Sequence, residues 1–244
     1  MTQLSPFWPH FLTTLQHRPY VFVFLFFFLV FGLIQLGPKR TLLFLISGWS
    51  IAFASEVSSI RNGFPYGDYQ YVYENLKGEL LLWGVPLWDS LSYTFLAYAS
   101  YSTALLFRFS SLKTLMLSSL LMMGLDVIID PLTALGDQWF LGRIYYYPHG
   151  GLYFAVPLSN FAGWALVAFC IVGAYQIIEK RLASTPSPPE TLKNYLGFLL
   201  YSGVFLFNWS ITLYLKLYSL ALMDLGLFIL LLFFLKNRLL PTKF

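Results

Sequence analysis

YVFVFLFFFLVFGLIQL, residues 20–36, carries no charge, and its reading decides the fold. A bilayer core of about 30 Å takes about 20 mostly apolar residues per helix, and a helix satisfies its own backbone polar groups there. Similar runs follow at about 42–60, 80–106, 114–130, 152–178, 195–214 and 218–235. Over 244 residues, 58% are hydrophobic, 20% aromatic and 11% charged, whereas a soluble domain has about a quarter charged. The sequence therefore predicts an all-α polytopic membrane helix bundle of about seven transmembrane helices, a single integral membrane domain over 1–244. Arg18 before the first run resembles the start of a signal peptide. No small-residue cleavage site follows, so the run reads as a retained first helix.

Counting Lys and Arg by side orients the chain. Arg18, Arg61, Lys77, Arg143 and Lys216 fall on the side of the N-terminus. Lys39, Arg40, Arg108, Lys113, Lys180, Arg181, Lys193, Lys236, Arg238 and Lys243 fall on the other, five against ten. The positive-inside rule predicts a multi-pass cell-membrane protein with its N-terminus outside and its C-terminus cytoplasmic. The two longest polar connections, 61–79 and 131–151, then share the outer side, and a flexible Pro/Ser-rich loop, LASTPSPPETLK, is expected at 182–193 on the inner one.

The net charge of +4 is scattered through loops and gives no support for nucleic-acid binding. Cys170, the one cysteine, cannot form an internal disulfide and is expected as a packed core residue. His10, His17 and His149 are too few for the histidine clusters of a membrane di-iron enzyme, and no metal site is expected. There is no glycine-rich phosphate loop. DVIID is a poor Mg²⁺-diphosphate motif without neighbouring cations. A retinal protein would need a lysine in its last helix, and none precedes Lys236. Asn208-Trp209-Ser210 has the form of a glycosylation sequon but lies inside an apolar run.

The chemistry is expected from acids at membrane depth, which are costly and usually face the protein interior. MGLDVIIDP, residues 123–131, puts Asp126 and Asp130 one turn apart on one helix face, with Pro131 expected at the helix end. Such a pair can share a cavity and keep one carboxyl protonated. It can equally hydrogen-bond Arg143, Arg61 or loop amides and fasten the helix. Glu56 ends its helix on the same side, Glu79 and Asp89 begin the next, and Asn160 begins another. In the opposite half only Asp224 is expected. After Glu56, Gly63, Pro65 and Gly67 break the helix, and Tyr66, Tyr69, Tyr71 and Tyr73 line a turn-rich segment. These tyrosines serve either as an interfacial belt or as a cage whose ring faces stabilise a carbocation.

Four segments in order, SEVSSIRNGFPYGDYQY (55–71), WGVPLWDSLSY (83–93), MGLDVIIDP with Trp139 shortly after, and GGLYFAVPLSNFAGW (150–164), resemble the membrane-integral carotenoid biosynthesis protein family. That family includes carotenoid 1,2-hydratases and bisanhydrobacterioruberin hydratases, and the resemblance covers about residues 50–170. It implies addition of water across the terminal C1=C2 bond of an acyclic carotenoid or polyisoprenoid end, a hydro-lyase activity with no cofactor. It also implies an apolar substrate drawn from the membrane lipid and association with other carotenoid biosynthesis enzymes. The resemblance does not decide which acid does what; from the chemistry, Asp126 or Asp130 is expected to donate the proton, Glu56 to handle water, and Asn160 to lie beside them. Tyr66, Asp68, Tyr69, Asp89 and Trp139 are expected to bind the substrate. The family has glycine where this chain has Ala155, which implies an altered cavity wall. An end-group cyclase, in which an alkene captures the same cation, and a proton-coupled transporter remain open.

Overall fold

The computed structural model describes residues 7–181 and 192–239, with side chains to Lys236. Its helices are α1 (Phe7–His17), α2 (Pro19–Gln35), α3 (Pro38–Asn62), α4 (Leu87–Leu105), α5 (Ser111–Ala134), α6 (Leu158–Glu179), α7 (Leu196–Tyr214) and α8 (Tyr218–Leu239). The chain is an all-α bundle. By length and apolarity α3, α5, α6, α8 and the segment Lys193–Tyr214 suit a membrane crossing, and α1 with α2, bent by 93°, makes a sixth. Helix α4 falls short in apolarity because it carries Asp89 and a run of Ser, Thr and Tyr. From Tyr93 to Ala104 it is buried throughout, against α2, α3, α5 and α7. A helix surrounded by protein can keep polar groups that a lipid-facing helix cannot.

Turn chemistry sets the boundaries. Gly37, at φ +81°, and Pro38 at the first position of α3 fold the chain back after α2. Gly63, left-handed at φ +77°, ends α3 by donating its N–H to Ser59 O at 2.8 Å. Pro131 lies inside α5 and does not end it, since the helix runs on to Ala134. The runs expected at 80–106 and 152–178 are helical only from Leu87 and Leu158; before them lie an antiparallel pair, β2 (Leu81–Leu82) with β3 (Val85–Pro86), and a bridge between Tyr153 and Val156. Apolar composition carried both expectations too far, because buried turns are as oily as the helices they join. Helix α1 was not expected. Cys170 is exposed on the outside of α6, because apolarity does not separate a core face from a lipid face. The loop expected at 182–193 lies outside the described residues except for its last two.

Helices α3, α4, α5 and α6 each have one terminus at the same end of the bundle, where the two long connections meet. There β1 (Gln70–Tyr71) pairs antiparallel with β4 (Tyr145–Tyr146), joining Gln70 to Tyr146 and Tyr71 to Tyr145. Asn75 Nδ2 adds a bond to Arg143 O at 2.9 Å. Side chains alternate across a strand, so Tyr146 bonds Gln70 on the outer face while Tyr71 and Tyr145 turn inward. Asp224, expected in the opposite half, lies in the second turn of α8 near this same end, its neighbour Met223 meeting Tyr153.

Candidate active site

Under that cap four acids converge: buried Glu56 from α3, half-buried Asp89 from α4, and buried Asp126 and Asp130 from α5. Glu56 accepts hydrogen bonds from three tyrosines, Tyr69, Tyr71 at 3.0 Å and Tyr93 at 2.6 Å. Tyr71's hydroxyl also lies 2.6 Å from Asp89 Oδ2. Asp130 accepts from Tyr145, from Tyr147 at 2.7 Å and from Asn160 Nδ2 at 2.7 Å. The other hydrogen of that amide goes to Asp126 Oδ2, also at 2.7 Å, while Asp126 Oδ1 is buried without a partner among the described residues. Asn160 thus bridges the aspartate pair. Arg143, a partner considered for the pair, instead covers the Tyr146 ring. Burial, and then the neighbouring carboxyls, push the Tyr69, Tyr71, Tyr145 and Tyr147 hydroxyls above the ordinary phenol range, so they remain donors.

Two cavities meet at this cluster. The larger, of about 90 Å³, is mostly apolar and lies among α2, α4, α5 and α7, with Trp88, Trp139, Phe95 and Leu96 in its walls and Asp89 and Asp130 at its inner end. The smaller, of about 30 Å³, is lined by Glu56, Tyr66, Tyr69, Tyr93, Tyr147 and Asn160. Asp89, Tyr145 and Trp164 border both. Tyr93 and Trp164 stack in the partition with centroids 4.2 Å apart. Gly163 lets α6 approach this wall, since a Cβ there would lie 2.7 Å from Pro65 O and from the Tyr66 ring.

Of the residues singled out in the sequence, Glu56, Asp89, Asp126, Asp130, Asn160, Tyr66 and Tyr69 come together, and Trp139 lines the larger cavity. Asp126 borders neither cavity. Asp68 is exposed and faces His149. Ala155 is exposed and lines neither cavity; its left-handed φ of +66° is the feature that favours glycine there. Sequence reasoning missed Tyr93, Tyr145, Tyr147 and Trp164. Tyr69-x-Tyr71 and Tyr145-x-Tyr147 carried a signal in their two-residue spacing, which aims each pair to one side of an extended segment.

A family model described as carotenoid biosynthesis protein matches residues 18–232. The chain belongs to that family. Among curated proteins it is 28% identical over 193 residues to the bisanhydrobacterioruberin hydratase of Haloarcula japonica. The match covers 74% of this chain and 62% of that protein, so it spans less than two thirds of the relative's length. No solved structure matches. The family match takes in every acid of the cluster as well as Arg18, the cation of a second buried network at the same end. Arg18 Nη2 meets Glu79 Oε1 at 2.9 Å and Arg18 Nη1 donates to Leu141 O at 2.6 Å, while Trp88 Nε1 donates to Glu79 Oε2 at 2.6 Å. That network ties the start of α2 to both long connections and to the Trp88 wall of the larger cavity.

Proposed function

We propose that this membrane protein of carotenoid biosynthesis is a hydratase, adding water across the terminal C1=C2 bond of an acyclic carotenoid end. The observation that carries the reading is the polar chamber beside the apolar one. An apolar volume of about 90 Å³ suits a short branched end, not a whole polyene. About 30 Å³ lined by carboxyl, hydroxyl and amide groups suits a water, which needs about 10–15 Å³ and two to four polar partners. A carboxylic acid protonates the alkene, the tertiary cation rests among tryptophan and tyrosine rings beside Asp130, and water from the polar chamber captures it. Asp126 acts through Asn160, whose amide it holds. A cyclase would want a dry pocket where this one is polar, and a transporter would want polar groups across the bilayer where these gather at one end.

Between α2 and α7, Tyr20, Phe24 and Phe207 border the larger cavity and are partly exposed, which supports substrate passing sideways from lipid. The capped end is proposed to face outward, with the C-terminus cytoplasmic. Expression in a host that makes lycopene or γ-carotene, with pigments analysed by mass, tests the function. A product heavier by one water supports hydration. An isomer of unchanged mass means cyclisation, and unchanged pigment removes the hydratase reading for these substrates.

A further inference from the structure

We infer that Asp89 is the proton donor, recharged from Glu56 through the hydroxyl of Tyr71. The assignment rests on the hydratase reading for its chemistry and on a count of hydrogens for its placement. Tyr71 has one hydroxyl hydrogen, yet its oxygen lies within hydrogen-bond distance of two carboxyls, Glu56 Oε2 at 3.0 Å and Asp89 Oδ2 at 2.6 Å. Both contacts are hydrogen bonds only if one carboxyl brings a hydrogen of its own. Glu56 is already met by the hydroxyls of Tyr69 and Tyr93, which suits an ionised, acceptor-only group. The extra hydrogen therefore belongs to Asp89, whose O–H donates to Tyr71 while Tyr71 donates to Glu56.

Position selects the same residue. The larger cavity is bordered by two acids, Asp89 and Asp130. Asp130 is met by two hydroxyls and an amide, three donors that suit an ionised, acceptor-only group. Asp126 reaches neither cavity, and Glu56 reaches only the polar one. Asp89 alone of the four borders both chambers and carries a hydrogen by this count.

The cycle closes on these groups. The π pair of the alkene takes the Asp89 proton at C2, leaving a cation at C1 and a carboxylate at Asp89. A water lone pair forms the C1–O bond, and the proton that the oxygen then loses passes to Glu56 across the polar chamber. Tyr71 gives its hydrogen to Asp89 and takes the one on Glu56, which restores the starting state with one water added to the substrate. Tyr71 borders neither cavity, so it is a positioning and relay residue, not a catalytic one.

The test compares the full chain with Asp89→Asn, Asp89→Glu and Tyr71→Phe in membranes. One readout needs no substrate: the infrared carbonyl band of a protonated carboxylic acid. Asp89→Asn should remove one such band and Tyr71→Phe should shift it; a full set of bands in Asp89→Asn overturns the assignment whatever the substrate proves to be. The second readout is hydration of lycopene, with the wild type as the control on the hydratase reading itself. If the wild type hydrates, Asp89→Asn should fall by about 100-fold or more, the scale of general acid catalysis, and Asp89→Glu should recover part of that. Loss of less than about tenfold would overturn the role. Tyr71→Phe should slow turnover and change its solvent deuterium isotope effect, which a merely structural tyrosine would leave alone. Should Asp89→Asn fail to fold, Tyr71→Phe decides: an unmoved band and an unchanged isotope effect refute the relay. A wild type inert on lycopene counts against the hydratase reading, while the infrared band still judges the proton's place.

Discussion

Glu79 and Glu56 are buried equally deep, at 4% exposure each, at the same end of the molecule, yet they are satisfied by opposite means. Glu79 faces a guanidinium that does not release its proton, an indole N–H and, at 3.4 Å, the half-exposed imidazole of His17. Glu56 faces three phenols. An arginine pair neutralises a buried charge and holds three segments together, but it leaves nothing to move. Tyrosine hydroxyls hold a carboxylate and can also pass a hydrogen on. On the proposed reading, the difference separates a fastening from a reaction site among acids that look alike in the sequence.

Exchanging the two effects is the strongest way to break that comparison. Glu56→Gln should lower hydration by about 10²–10⁴-fold with the thermal midpoint in detergent close to the wild type's. If activity survives, the phenol-bound acid is only a fastening. Arg18→Met should do the reverse by leaving Glu79 buried without its guanidinium, with Trp88 and His17 as its remaining partners, at a cost of about 3 kcal/mol in thermal unfolding. Protein that remains folded should still hydrate. Gly163→Ala should drive α6 from the Pro65–Tyr66 wall, costing about 1–3 kcal/mol and disturbing the partition between the chambers, read as lowered stability together with more unhydrated pigment. A pH titration sharpens the contrast. The phenols of Tyr69, Tyr71, Tyr145 and Tyr147 have folded-state values above their unfolded ones, so their contribution to stability is complete below about pH 10 and is lost as pH rises through the higher folded values. Phenolate absorbance should lag behind that of exposed tyrosines over the same range. The smallest effect is Ala155→Gly, expected to add about 0.5–1 kcal/mol by relieving a left-handed backbone, with hydration unchanged because the residue lines neither cavity.

The bundle was legible because each span is a long apolar run, and so was the convergence of acids at one end, which follows from alternating helix direction. Asp126 and Asp130 were recognised by their spacing on one helix face. Asn160 was expected beside them, but their tyrosine partners were not, because Tyr145 and Tyr147 reach Asp130 only after β1 and β4 pair across more than seventy residues of chain, and hydropathy is blind to that pairing. Asp89 was expected to bind the substrate and not to donate the proton, since its standing between two chambers is a property of α4 lying centrally. Arg18 was counted as a side-of-membrane charge and Glu79 as one of the converging acids; nothing local marks a cation that will be buried with an acid sixty-one residues away.

Asn160 gives the site an insulator. Its amide hydrogens hold Asp126 and Asp130 in place, but an amide nitrogen does not hand its hydrogens along as a phenol does. In the proposed relay from Glu56 to Asp89, Asp126 therefore stays off the circuit, since the group that holds it is that amide, whereas Asp130 keeps the phenols of Tyr145 and Tyr147. Asn160→Asp would put a conducting group at that junction, and the wiring of the site, not its shape, would be what changed.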